Sequence, residues 1–556
     1  MPTKVCLLVL AILLVFGASS AQTSAPDPLA SRVDAVFAEY DKPDSPGCAV
    51  GVYRDGRTAY SRGYGMANLE HGIPITPRTV FYTGSVSKQF TAFSVALLAQ
   101  QGKISLDDDV RKYVPELPDY GTPITIRHLI HHTSGLREKW LILQLAGWRE
   151  GDLVTQRDIV DLASRQKALN FKPGDQHSYS NTGYDLLSTL VERASGKPLS
   201  EYARENLFAP LGMKDSRYVD DRTAIVPRRA HAYAPRDGGG FGLDLPNVET
   251  TGSGSVYSTI EDLARWDENF VTAKVGGKTL LEQVQTPGVL NDGTKLDYAF
   301  GLGVDQDRGL KRVWHNGALA GFRAMFLQYP EQHLSVAVLC NLGSADPDTL
   351  ALRTAEIYLA DKLGPSPAPP QAAEPAAVPV SAAELDRFAG LYFDEEGGLV
   401  RRIAVKDGKA FYQRGPGNET ELIPVGPGRF AMKGVPQRVD LIFEPGRMTF
   451  QTAGQPPTLF RAVEPVASLD AAALARYAGT YASDELGATW TLAVRDGRLV
   501  FQRQRFEDEP LTPAFTDAFT AGGLLFRFAR GEGGAVTGFS ASTSGVRDIR
   551  FVRVER

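Results

Sequence analysis

Apolar positions follow two regimes along this chain. In the first, Cys48-Ala-Val-Gly-Val-Tyr53 is an apolar run that stops at Arg54-Asp-Gly-Arg57, and the sequence then continues to Gly63. An Asp-Gly pair at the end of such a run predicts a tight β-hairpin over 48–63. Phe90–Gln101 is a long apolar segment that predicts a buried helix, and Gly183–Arg193 carries a second helical pattern. Strand-like runs return between Val313 and Leu342, Ser335–Cys340 among them. Strands at both ends with helices between predict one sheet assembled from the two ends of this unit and covered by an inserted helical region.

The second regime follows a break. From Gly364 to Pro379 the chain is rich in Pro and Ala with almost no large apolar residues, which predicts a semi-extended linker. Beyond it apolar residues alternate around Asp-Gly pairs, as in Ile403 and Val405 before Asp407-Gly408 and Phe411 after it. This is the pattern of antiparallel hairpins. Phe388-Ala-Gly-Leu-Tyr392 recurs as Tyr477-Ala-Gly-Thr-Tyr481, and Ala404-Val-Lys-Asp-Gly-Lys409 as Ala493-Val-Arg-Asp-Gly-Arg498, both 89 residues later. Two matches at one offset predict a duplicated domain, each copy a small closed barrel or a sandwich. The two copies are read as structural or covering modules in preference to ligand-binding ones.

The N-terminus adds an address. Met1–Lys4 is a short positive start, Val5–Gly17 is almost purely apolar, and Ser19-Ser-Ala-Gln22 offers small residues for cleavage. The apolar run is shorter than the roughly 20 residues a bilayer span needs, so it predicts a removable leader. Cys6 lies inside the run, lacks a lipoprotein cleavage pattern and is assigned to the leader. The expected organisation is a leader over 1–21, a main domain over 22–362, a linker over 363–383, and β units over 384–465 and 468–556. The expected location is periplasmic or secreted, with no membrane anchor after cleavage. An oxidising compartment permits a bridge between Cys48 and Cys340 without requiring one. Both lie in strand-like runs that spacing alone does not place, and the default reading is two buried free thiols, with a bridge as the alternative.

Composition narrows the classes. The 556 residues suggest three or four domains at roughly 150 residues each. With 43% hydrophobic and 22% charged residues the chain is neither disordered nor collagen-like nor a multi-span membrane protein. Lys and Arg total 60 against 65 Asp and Glu, so no basic excess exists to neutralise a phosphate backbone, and no nucleic-acid partner is expected.

Three short motifs carry candidate chemistry. In Ser85-Val-Ser-Lys88 the two polar groups share a helix face, with the serine at the helix start where backbone N–H groups favour developing negative charge. A lysine on an apolar helix is desolvated and becomes available as a neutral base, which a serine nucleophile requires. A second copy of the spacing, Ser164-Arg-Gln-Lys167, lies among charged residues and reads as a solvated face. Tyr179-Ser-Asn181 precedes the second helix; a tyrosine near a cation shares its proton more readily, and the Asn amide can both donate and accept. His315-Asn-Gly317 lies in a strand-like stretch, where glycine lets a substrate backbone lie close and the imidazole supplies a positive or hydrogen-bonding group. His128, His131 and His132 complete no familiar zinc pattern and are assigned structural roles. Gly-x-Ser-x-Gly, phosphate-loop and dinucleotide motifs do not occur, so neither metal nor cofactor is expected.

Ser-x-x-Lys, Tyr-x-Asn and His-x-Gly in this order resemble the three motifs of the serine β-lactamase and penicillin-binding protein superfamily. The likeness is closest to its branch of class C β-lactamases, D-aminopeptidases, DD-carboxypeptidases and related esterases. Ile124–Leu136, Phe171-Lys-Pro-Gly174 and Pro210-Leu-Gly-Met213 are similar to that branch's segments. The resemblance spans about residues 30–360. It implies an α+β fold: a β-lactamase-like domain of antiparallel sheet and helices, followed by two small antiparallel β-barrels. It also implies Ser85 as nucleophile with Lys88 as base partner, and Tyr179 as proton relay. Asn181, His315 and Gly317 would bind substrate, and the N–H groups of Ser85 and Ala318 would form an oxyanion hole. Whether Lys88 or Tyr179 takes the serine proton is left open. Many relatives carry Lys-Thr-Gly where this chain has His-Asn-Gly, which weakens the case for a β-lactam carboxylate and resembles D-aminopeptidases. The expected function is an exported serine hydrolase of small peptide, amide or ester substrates, a D-aminopeptidase foremost. Alternatives are an esterase, a class C-like β-lactamase or DD-carboxypeptidase, and a non-catalytic peptidoglycan-binding protein.

Overall fold

Asp55 and Gly56 both take positive φ, 52° and 71°, the backbone twist with which a two-residue turn matches its flanking strands. They join β1 (Cys48–Arg54) to β2 (Arg57–Tyr64), the predicted hairpin. The computed structural model describes residues 29–365 and 377–554 apart from 416, 436–437, 453–456, 467 and 504. The leader expected over 1–21, with Cys6, and the 366–376 part of the linker lie outside the described residues.

Four further strands complete the sheet: β3 (Gly303–Asp307), β4 (Leu310–Leu319), β5 (Phe322–Tyr329) and β6 (Leu334–Cys340). The order is β3-β4-β5-β6-β1-β2, antiparallel throughout, so the two ends of the domain meet where β6 pairs with β1. The helical insertion between β2 and β3 contributes α1 (Ser87–Gln100), α2 (Lys139–Leu145), α3 (Asn181–Ser195) and α4 (Ile260–Thr272), and α5 (Pro347–Tyr358) follows β6. Alternation along β1 and β6 splits the core. Cys48, Val50, Val52, Val336 and Val338 pack toward α5, while Ala49, Tyr53, Ala337 and Leu339 pack toward α4 and the insertion. The helix α1 is buried at every residue from Ser87 to Leu98 and so lies at the centre of the insertion, as expected of a helix that is apolar all round.

One expectation fails here. Cys48 and Cys340 are direct partners across the β1–β6 ladder and form a disulfide, where two free thiols were expected. Spacing could not reveal this, because the sheet register, not their sequence separation of 292, brings the two together.

The downstream repeat folds into two closed eight-stranded antiparallel barrels. Their opening helices (Ala382–Asp386 and Ala471–Ala475), first strands (Gly390–Asp394 and Gly479–Ser483) and second strands (Leu399–Lys406 and Ala488–Arg495) keep the 89-residue offset. Asp407-Gly408 and Asp496-Gly497 are the same positive-φ turn in each copy. Side chains fill both interiors, Tyr392, Tyr412, Phe430 and Leu441 in the first and Tyr481, Trp490, Phe526 and Phe539 in the second.

The second barrel is docked on the main domain. Ile142, Leu143 and Leu145 of α2 join Trp490 and Phe551 in one apolar cluster, and Trp490 Nε1 donates to the Leu145 carbonyl at 3.1 Å. Arg137, just before α2, and Glu485 of the barrel form an ion pair at 2.6 Å with side chains 1% and 3% exposed. The turn of the barrel's last hairpin also reaches this segment: the Gly545 carbonyl accepts from Glu138 N at 3.3 Å and Asn170 Nδ2 at 2.9 Å.

Candidate active site

A tight turn, Gly84–Val86, leads from the short strand Phe81–Tyr82 into α1 and carries Ser85. Its closeness to β4 dictates two glycines. A Cβ on Gly317 would stand 2.1 Å from the Thr83 carbonyl oxygen and 2.8 Å from Ser85 N, and one on Gly84, whose φ is 55°, 2.6 Å from Ala318 N. The amides of Ser85 and Ala318 are thereby brought beside each other at the partly exposed serine.

One turn along, Lys88 is fully buried. Its Nζ donates to Ser85 Oγ at 3.0 Å, Asn181 Oδ1 at 2.8 Å and the Ser253 carbonyl at 2.7 Å. Burial pulls its pKa down to about 7; Asp185 and Glu138 oppose that shift and Lys139 adds to it. The amide and carbonyl oxygens can only accept, so they hold two N–H bonds in either protonation state. When the third proton leaves, the lone pair faces Ser85. A desolvated amine of this kind can draw the proton from the serine hydroxyl.

The orientation of Asn181 is set from behind. Glu138 Oε2 accepts from Asn181 N at 2.6 Å and Oε1 from Asn181 Nδ2 at 2.9 Å, which turns Oδ1 to Lys88. Tyr179 is 40% exposed, its ring centroid 4.8 Å from Lys88 Nζ. Protein crowding its hydroxyl, together with the Glu138 carboxylate, holds the phenol well above its ordinary range, against a hydrogen bond with Ser85. At neutral pH it is a proton donor.

His315 is buried on β4. Its Nδ1 lies 2.6 Å from the Asn316 carbonyl and must donate to it, so Nε2 accepts from the Tyr298 hydroxyl at 3.0 Å. Burial and the Lys88 charge push the imidazole down to about 3, against the Asn316 carbonyl. Both ring nitrogens are thereby engaged within the protein, and the shift is away from the positive form. The third motif here carries no cation.

The three clustered histidines go separate ways. His128 Nδ1 accepts from Thr125 N and caps the helix Ile126–Ile130, His131 Nδ1 lies 3.3 Å from the Tyr298 carbonyl, and His132 Nδ1 accepts from Ser180 N. The His132 ring packs 4.3 Å from that of Tyr179 and 4.7 Å from that of Tyr298. The decoy pair stays apart: Ser164 Oγ donates to the Asp161 carbonyl at the end of its own helix, and Lys167 is exposed. Glu138, Lys139, Asp185, Ser253 and Tyr298 were not foreseen. The one signal for them was Arg137-Glu138-Lys139, a run of charges between Gly135-Leu136 and the apolar Trp140–Leu143.

Comparison with known proteins bears on the family and the fold. The family model described as Beta-lactamase matches residues 33–361. Penicillin-binding protein 4* of Bacillus subtilis (strain 168) is 28% identical over 69% of this chain and 87% of its own length. A D-aminopeptidase of Cereibacter sphaeroides (strain KD131 / KCTC 12085) is 27% identical over 92% and 96%, so that likeness runs through both barrels. The octameric penicillin-binding protein homologue from Pyrococcus abyssi superposes with a TM-score of 0.55 at 24% identity, over 78% of this chain and 98% of that one, and shares the fold. With the family model spanning more than half the chain, the protein belongs to the Beta-lactamase family and is a serine hydrolase.

Proposed function

We propose that the protein is an exported, cofactor-independent D-aminopeptidase that hydrolyses small D-amino-acid peptides and amides through an acyl-enzyme on Ser85. The observation that carries the chemistry is the buried Lys88 amine, drawn down to about 7 and bonded to Ser85 Oγ. In this reading Lys88 takes the Ser85 proton as Oγ attacks the carbonyl carbon. The N–H groups of Ser85 and Ala318 hold the oxyanion. The proton reaches the leaving nitrogen through the Tyr179 phenol. Water then cleaves the ester, with the Lys88 amine again as base. Asn181, His315 and Gly317 line the substrate's path.

Two observations support the substrate class. A neutral His315 offers no ammonium to a substrate carboxylate, which disfavours β-lactams and C-terminal carboxypeptide substrates and leaves amides and esters. The likeness to D-aminopeptidases covers nearly the whole chain. The leader-like start, Met1–Ala21, supports export to the periplasm or medium.

The test compares D-alanyl and L-alanyl p-nitroanilides, a short-chain p-nitrophenyl ester and a chromogenic cephalosporin. The D-alanyl amide is expected to give the highest kcat/KM, and Ser85→Ala to abolish its turnover. Full activity in folded Ser85→Ala ends the serine mechanism. A preference for the ester or the cephalosporin replaces the aminopeptidase reading with that of an esterase or a β-lactamase.

A further inference from the structure

Behind Lys88 lies a buried ion pair. Lys139 and Asp185 are 1% and 0% exposed and meet at 2.5 Å. They come from different helices, Lys139 opening α2 and Asp185 in the second turn of α3. Both grip the same residue. Lys139 Nζ donates to Ser253 Oγ at 3.1 Å and to Thr250 Oγ1 at 3.2 Å, and Asp185 Oδ1 accepts from Ser253 N at 2.9 Å. Held at its hydroxyl and its amide, Ser253 presents its carbonyl to Lys88 Nζ at 2.7 Å.

Stability is a weak reason for such a pair. The desolvation of two buried charges cancels much of their attraction, and apolar residues of similar volume commonly do as well. What the pair does supply is position and charge beside one amine. The groups facing Lys88 are the charged Asp185, Lys139 and Glu138 and the uncharged Tyr179, Tyr184, His132 and His315. Asp185 and Lys139 are the opposed members of that set.

We propose that Lys139 and Asp185 are positioning residues of the hydrolytic reaction, which fix the Ser253 carbonyl against Lys88 and balance the charge around its amine so that the free valence turns to Ser85. The inference rests on the reading of Lys88 as the base. It assigns opposite signs to the two partners. Without Lys139 the Asp185 carboxylate favours the ammonium, and without Asp185 the Lys139 charge disfavours it.

The test follows the rate of Ser85 labelling by a fluorophosphonate against pH in the full-length protein, so it does not depend on knowing the substrate. Lys139→Met is expected to move the acid limb up by about one pH unit and Asp185→Asn to move it down by about as much. Either single variant can fail to fold, because each leaves a charge buried alone. Lys139→Met/Asp185→Leu removes both charges at similar volume and is expected to keep its circular dichroism and thermal midpoint. In it, labelling should fall at least tenfold across the pH range. An unmoved limb in folded single variants, a shift of the same sign in both, or full-rate labelling in the folded double variant overturns the proposal. Lys88→Met separates the two layers. If it labels normally, the reading of Lys88 as base fails. If it is inert while the limbs stay put, only the positioning role fails.

Discussion

At the scale of the residue, Lys88 meets three acceptors, two of which can never give up their role. Asn181 Oδ1 and the Ser253 carbonyl accept whether the lysine is ammonium or amine, so a change of protonation is felt at Ser85 alone. The sign of the pH dependence follows. Below about 7 the ammonium has no lone pair for the serine proton; above it the amine does. Turnover is expected to rise tenfold per pH unit on the acid side and to level off above about 7. His315, neutral down to about 3, contributes no limb in that range. A pH profile of kcat/KM checks this, and a rate flat from pH 5 to 9 contradicts it. Ser85, Lys88, Tyr179, Asn181 and His315 were singled out by three short motifs taken in order and by their resemblance to a known superfamily, since no one spacing states the geometry alone. Glu138 was not. It acts on Asn181, 43 residues away, and no local pattern encodes a carboxylate that turns an amide.

At the scale of the element, the site is a meeting of a helix start with a strand. β4 runs so close to the Ser85 turn that side chains are excluded at both contact points, Gly84 and Gly317. Gly317→Ala sets a methyl group 2.1 Å from the Thr83 carbonyl oxygen, and β4 must retreat. The Ala318 amide retreats with it, while β4 keeps its ladder to β5. Loss of one oxyanion donor typically costs about 10²–10³ in rate. Gly317→Ala is therefore expected to lose turnover on that scale with circular dichroism unchanged, and an active variant would show that the amide takes no part. Elements of this kind were readable: the hairpin at Asp55-Gly56, the apolar helix α1 and the returning strands each announce themselves by period or turn chemistry. Their register was not. Period two says that Cys48 and Cys340 face a core, but only the β1–β6 pairing makes them neighbours.

At the scale of the whole molecule, the duplicated barrels were legible from their 89-residue offset, whereas the docking of the second one was not, since it joins surfaces hundreds of residues apart. Arg137 and Glu485 are buried in that junction, beside the apolar cluster that α2 shares with the barrel. The guanidinium also donates to Gln166 Oε1 and the Arg547 carbonyl, while Glu485 accepts from the Lys167 amide. Neither charge is near water, so removing one strands the other. Glu485→Leu is expected to weaken the junction by about 3–5 kcal/mol, whereas Arg137→Met/Glu485→Leu, which strands neither, should recover most of that loss. Trp140, Trp148 and Trp490, three of the five tryptophans, lie in or against the shared cluster, so tryptophan fluorescence during urea unfolding is weighted toward the junction. A single variant that unfolds like the parent, or a double variant as weak as the single, would mean that apolar contact alone holds the barrel. The Arg137 ion pair adjoins Glu138 and Lys139 in sequence, so the same three residues face the barrel, the Asn181 amide and the Ser253 anchor in turn. Loosening the barrel should for that reason slow Ser85 labelling in Glu485→Leu and spare it in the double variant.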